Sequence, residues 1–151
     1  MKKKHIFAVL DTNVLVSALL TQRPDSPTTK LITALNQKAF TALYNTEIIE
    51  EYREVLNRRK FDLDPDVING VINIVQDNGL FTGRTTTKET FKDKDDVVFY
   101  EVALSKEGAY VVTGNIKDFP QKPIVVTPAE MIAILENLEL ITKITNTTNK
   151  N

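Results

Sequence analysis

Acidic residues stand at the seams between apolar runs of this chain. Asp11 interrupts AVLDTNVLVSALL, and Glu51 lies within TEIIEEYREVL. Asp93, Asp95 and Asp96 crowd into KDKDDVVFYEVAL, and Asp118 follows Thr113, Gly114 and Asn115 in VVTGNIKDF. Carboxylates gathered from such places make a hard-oxygen site suited to Mg²⁺ or Mn²⁺. Those ions activate water, orient a phosphate and stabilise a leaving oxygen. Other chemistry is poorly provided for. The chain has no cysteine, which removes disulfides, thiolate metal sites and thiol nucleophiles together. Its one histidine, His5, argues against an imidazole metal cluster or a Ser-His-Asp triad, and a structural role suits it better.

Each acid also has a plainer explanation. Asp at a strand-to-helix seam is a routine helix cap, so Asp11 alone proves little. On a helix from Thr46, at 100° per residue, Ile48, Ile49, Tyr52, Val55 and Leu56 form one apolar stripe. Glu47, Glu50 and Glu54 point away from it, whereas Glu51 lies at its edge, where a side chain can be half-buried. The alternative is a solvated acidic face with Glu51 as its margin. Asp96 shares a line with Tyr100 and Ala103, at the start of a buried helix side. A carboxylate there needs a partner, a hydrogen bond or a metal. The helix dipole would favour one acid at that end, but three repel one another without a cation. Residues 113–115 and Asp118 could form no more than a turn.

The elements that must position these groups follow from periodicity. Residues 5–10 read as a buried strand, 13–20 as a helix capped by Thr12 or Asp11, and TQRPDSPTT as a loop. Residues 29–37 resume a helix, 40–44 a strand and 46–58 a helix. Residues 65–78 form a helix with Pro at its first turn and Gly79 closing it. Residues 80–86 suit a strand, 96–106 a helix stopped by Gly108, 109–113 and 124–127 strands, and 128–138 the last long helix. Strands alternating with helices predict an α/β class with a mainly parallel sheet. Ligands of such sheets bind at the carboxyl ends of the strands, which would bring Asp11, Glu51, Asp96 and residues 113–115 to one rim. Residues 1–141 read as a single domain and 142–151 as a frayed tail.

The 151 residues are 42% hydrophobic and 26% charged, enough for a real core. No apolar run approaches the roughly 20 residues of a membrane span, and the start, MKKKHIFAVLD, has too short an apolar part for a signal segment. A cytoplasmic location without membrane attachment is therefore expected. The formal net charge of -1 lacks a strongly basic nucleic-acid footprint, but allows acids in one cleft with Lys and Arg around it.

In VLDTNVLVSALL, YNTEIIEEYREVLNRRKF, KDKDDVVFYEVAL and AYVVTGNIKDFP, taken in order, the chain resembles the PIN-domain family across residues 6–138. YREVLNRRKF resembles the branch of toxin components of prokaryotic type II toxin–antitoxin pairs. The resemblance implies a three-layer α/β/α sandwich around a central parallel sheet. It implies a metal-dependent endoribonuclease, with water attacking an RNA phosphodiester in line to leave a 5′-phosphate and a 3′-hydroxyl. Asp11, Glu51 and Asp96 match the invariant acids that hold one or two Mg²⁺ or Mn²⁺ ions, and Asp93 an accessory acid. Asn115 falls where many members carry a fourth acid, a departure that Asp118 would make good. Thr12, Asn13 and Thr113 would be polar supports.

RNA steering would fall to Arg53, Arg58, Arg59 and Lys60 and would weaken steeply with salt. For the last three, compensation of the helix dipole is the simpler role. A protein antitoxin and a homodimer are further implications, and the apolar stretch MIAILENLELI offers surface either for a dimer or for the core. Two rivals remain. A non-catalytic RNA-binding or interaction module would suit Asn115 and the near-neutral charge. A small-molecule phosphohydrolase would use Asp11 as nucleophile, but has Asn13 where a second Asp is expected.

Overall fold

A computed structural model describes residues 5–143; the expected tail beyond residue 143 and the first four residues lie outside them. Five strands form one sheet: β1 (Phe7–Leu10), β2 (Thr41–Tyr44), β3 (Gly79–Phe81), β4 (Tyr110–Val112) and β5 (Val125–Val126). They are ordered β3-β2-β1-β4-β5, and every pairing is parallel. The helices are α1 (Thr12–Leu20), α2 (Pro27–Asn36), α3 (Thr46–Leu56), α4 (Pro65–Asp77), α5 (Val97–Leu104) and α6 (Pro128–Asn137). The expected α/β/α architecture is present.

Burial explains the layering. Ala8, Val9 and Leu10 of the central strand have no exposed surface, so both sheet faces must be covered. The chain steps from β1 to β2 to β3 in one direction and returns across the sheet to β4. Right-handed crossovers therefore put α1, α2 and α4 on one face and α5 on the other, while α3 touches α1 and α4 and also α5, with the Tyr52 and Phe99 rings 6.3 Å apart. Helix α6 comes back to pack on α2, burying Met131, Ile132 and Leu135. Much of the apolar stretch at residues 131–141 is thus spent on the core. No helix among the described residues is long and apolar enough to cross a membrane.

Helix α5 is buried almost all round, from Val98 to Ala103. Its outer side is covered by the irregular segment at 82–93. Phe91 packs edge-on against Tyr100 and Phe119 at ring distances of 5.5 and 5.8 Å. Arg84 bridges Glu101 on α5 and Glu47 on α3 at 2.7 and 2.8 Å, and the Thr87 amide donates to the second Glu101 oxygen at 2.8 Å. This covering role corrects the reading of 80–86 as a strand: after Phe81 the chain leaves the sheet to close over α5.

Gly79 also has a different job from the one expected. It is the first residue of β3 rather than a helix stop, and a β-carbon there would run into the Val75 and Ala42 carbonyl oxygens. Gly70, inside α4, has open space around it. Gly70→Ala should therefore stabilise the protein by about 0.5–1 kcal/mol. Gly79→Ala should destabilise it by roughly 1–3 kcal/mol through overpacking. Paired urea melts check this, and equal effects at the two sites would contradict the close approach of β3.

Candidate active site

The strands end in register. Tyr44 pairs with Phe81, Leu10 with Val112 and Val112 with Val126, and the β1–β2 register continued from Ala8 and Ala42 aligns Leu10 with Tyr44. One residue further on, all five strands turn polar together, as Thr82, Asn45, Asp11, Thr113 and Thr127. The Asp11 amide still donates to the Val112 carbonyl at 2.9 Å, so this polar row continues the ladder. Asp11 and Thr113 lie between β1 and β4, where the strand order reverses. A crevice opens at such a switch point in α/β sheets.

Six residues precede the six α-helices as N-caps. Ser26, Asn45, Asp64 and Thr127 each accept a backbone N–H of the helix they start. Neither Asp11 nor Asp96 makes the side-chain cap bond that the other four make: Asp96 lies in a turn that runs straight into α5 and is capped by Asp93. The Thr113 hydroxyl donates to Asp11 Oδ2 at 2.8 Å and the Asn13 amide donates to the same oxygen at 3.0 Å. Asn13 Oδ1 accepts the Gly114 amide at 3.0 Å, and Thr113 Oγ1 accepts the Asn115 amide at 3.0 Å. The three expected polar supports divide: Thr113 and Asn13 hold Asp11, while Thr12 Oγ1 is buried without a partner.

Glu51 is half-buried at the edge of the α3 stripe, and Glu47, Glu50 and Glu54 are exposed, as the helical angles predict. Its neighbour Tyr52 is fully buried and donates to the Leu10 carbonyl at 2.6 Å. That bond ties α3 to the strand that delivers Asp11. Asp96 ends a 3₁₀ turn, Lys94–Asp96, ahead of α5, so the helix expected from residue 96 begins one residue later. The turn is capped by Asp93, whose carboxylate accepts the Asp95 amide at 2.9 Å. Asn115 is exposed and makes no side-chain cap, whereas Asp118 is half-buried at the end of its own 3₁₀ turn.

Charge repulsion acts among these acids. Burial pushes the Asp11 carboxyl above its usual range; Thr113, the Thr12 amide and Asn13 oppose this, and Asp118 adds to it. Glu51 is raised by burial and then by Asp95, Glu54 and Asp11, against Arg58. Asp96 is pushed up to about 7, by burial first and then by Asp11, Asp93, Asp118 and Asp95. Asp118 acts on both Asp11 and Asp96, so it, rather than Asn115, supplies the fourth charge. Asp95, which spacing alone did not single out, acts on both Glu51 and Asp96.

Among the described residues, none of Asp11, Glu51, Asp93, Asp95, Asp96 and Asp118 forms an ion pair. An oxygen-only donor set with no balancing cation suits Mg²⁺ or Mn²⁺ chemically. No three described acids stand close enough to enclose an ion unaided. Mg²⁺ is commonly held by one or two carboxylates with several waters, and the Asp11–Asp96 neighbourhood fits that mode. The basic residues are less free than the sequence suggests. Arg58 is held by Glu54 at 2.8 Å, Arg53 donates to Asn69 at 3.1 Å, and Lys60 lies 5.2 Å from the Phe61 ring centroid.

The sequence profile of the PIN domain matches residues 8–117, well over half of the chain and including Asp11, Glu51 and Asp96. Comparison with curated proteins and with solved structures returns no match.

The raised carboxyls set a pH test. In the fold they keep protons that the unfolded chain has already lost. Their contribution to stability is complete below the unfolded pKa, about 4, and is lost as pH rises through the folded value, about 7 for Asp96. Asp96→Asn removes that loss. Its melting temperature should exceed that of the wild type by a margin that grows between about pH 5 and pH 8 in EDTA. A margin independent of pH would contradict the crowding of acids at Asp96.

Proposed function

The chain belongs to the PIN-domain family, and on that footing we propose that it is a Mg²⁺- or Mn²⁺-dependent endoribonuclease. PIN domains are generally nucleases that use divalent metal ions. The observation that carries the finer reading is the pair Asp11 and Asp96. Asp11 is held by Thr113 and Asn13, Asp96 stands at the start of α5, neither meets a cation among the described residues, and the Asp11 charge helps to push the Asp96 carboxyl up.

Asp11, Asp96 and Glu51 would hold the ion, with Asp118 and Asp93 adding charge around it. The ion supplies activation of water and neutralisation of the phosphate. The rest is done by the chain. Thr113 and Asn13 fix one Asp11 oxygen and leave the other outside that network. Tyr52 keeps the Glu51 helix seated on the end of β1. Cleavage would leave a 5′-phosphate and a 3′-hydroxyl.

The likeness of YREVLNRRKF to the toxin branch supports a role as the toxin of a type II pair, restrained by a protein antitoxin. Induced expression in a bacterial host should then halt growth, and Asp96→Asn should not.

Incubation with total cellular RNA tests the activity. Discrete cuts are expected with Mn²⁺ or Mg²⁺ and none with EDTA. Asp11→Asn, Glu51→Gln and Asp96→Asn should abolish them. Thr113→Val should cost on the order of 10–100-fold, the usual penalty for removing a group that orients a metal ligand. A folded protein that binds Mn²⁺ but leaves every RNA intact would replace the nuclease with a silent binding module.

A further inference from the structure

Phe81 is the most exposed of the large apolar side chains among the described residues, at 61%. It ends the edge strand β3 on the same rim as Asp11, level with Tyr44 and Leu10. Two strand spacings of roughly 4.8 Å put it about 10 Å along that rim from β1. Its ring meets Tyr44 edge-on at 5.7 Å, which leaves a Phe81 face uncovered. Together they wall a surface cavity of about 270 Å³, with Ile49, Arg53, Gln76 and Glu50 around it. The cavity also reaches Asn45, the cap of the helix that carries Glu51 and the β2 member of the polar row that includes Asp11.

A flat apolar ring beside a guanidinium and amide groups matches the chemistry of an unpaired nucleotide. A base stacks on the ring, its edge meets the Gln76 amide, and its phosphate is left to the Arg53 donors that Asn69 does not take. Duplex RNA does not match it, because stacked and paired bases offer no free face. We infer that this cavity is a stacking subsite for one unpaired base of single-stranded RNA, two strands away from the acidic site. The inference deepens the nuclease reading and rests on it for the substrate class. Phe81 acts in binding and does not touch the reacting phosphate.

Fluorescence anisotropy with a fluorescein-labelled oligoadenylate octamer, in Mg²⁺ and on the Asp96→Asn background so that nothing is cut, tests the subsite. Phe81→Ala should weaken binding on the order of tenfold, as expected for one lost base–aromatic stack. Phe81→Tyr should retain it. An octamer of the same backbone lacking all bases should bind weakly and be indifferent to Phe81. Phe81 is exposed, and circular dichroism checks that the variants keep the fold. Equal affinity with and without Phe81→Ala overturns the subsite, as does tight binding of the abasic octamer or no octamer binding at all. So does a Phe81→Ala effect confined to self-association in sedimentation, which would make the patch a protein interface. These outcomes stand apart from the cleavage assay. Intact stacking without cleavage would remove the nuclease reading, and cleavage with no Phe81 effect would remove only the subsite.

Discussion

A carboxylate buried at the end of the central strand is the constraint around which the molecule is arranged. Asp11 is 5% exposed and has no cationic partner among the described residues. Burying such a charge is costly unless hydrogen bonds or a counter-charge compensate. Two hydrogen bonds do so in part: one from Asn13, two residues on, and one from Thr113, which depends on β4 ending beside β1. The Gly114 amide then bonds to Asn13, which locks the two strand ends together. The acid at the seam thus helps to determine where the sheet opens. Tyr52 adds a third strut, from α3 to the Leu10 carbonyl immediately before Asp11.

Glu101 shows what the same burial looks like when the purpose is structural. It is 7% exposed, close to Asp11, yet it faces the Arg84 guanidinium and the Thr87 amide, so both of its oxygens are matched. Breaking such a pair is destabilising because a charge is left behind. Asp11, Glu51 and Asp96 are met instead by other acids. Burial alone therefore does not separate Glu101 from the acids of the proposed site; the sign of the surrounding charge does. Folding maintains that unfavourable arrangement because the core elsewhere is dense and the sheet is covered on both faces.

Much of this could be read from the sequence, for identifiable reasons. Strand and helix alternation follows from periodicity, and the edge position of Glu51 follows from the fixed 100° step of a helix. The seam at Asp11 was visible, but its meaning was not, because a capping acid and a ligand acid have the same local sequence. The group that holds the Asp11 carboxylate is Thr113, 102 residues away. The bridge from Arg84 to Glu101 and Glu47 was likewise out of reach, since it depends on the path of an irregular segment. The choice of Asp118 over Asn115 depends on how a single 3₁₀ turn leaves β4. Gly79 was legible as punctuation, but the carbonyls that exclude a side chain come from another strand as well as its own helix.

The near-neutral charge is easier to understand once the charges are located. The acids concentrate at the carboxyl rim, and Arg58, counted among the expected RNA contacts, is occupied by Glu54. Lys94 and Lys117, exposed and outside any ion pair among the described residues, sit in the same turns as Asp96 and Asp118 and offset part of the repulsion that a polyanion meets there. For the proposed substrate, divalent ions at the acids and contacts that carry no charge add to the affinity. The base-stacking face of Phe81 is such a contact, and it lies on the same polar-edged rim. That contact favours unpaired RNA, whose bases can be offered to a ring while the backbone stays over the acids.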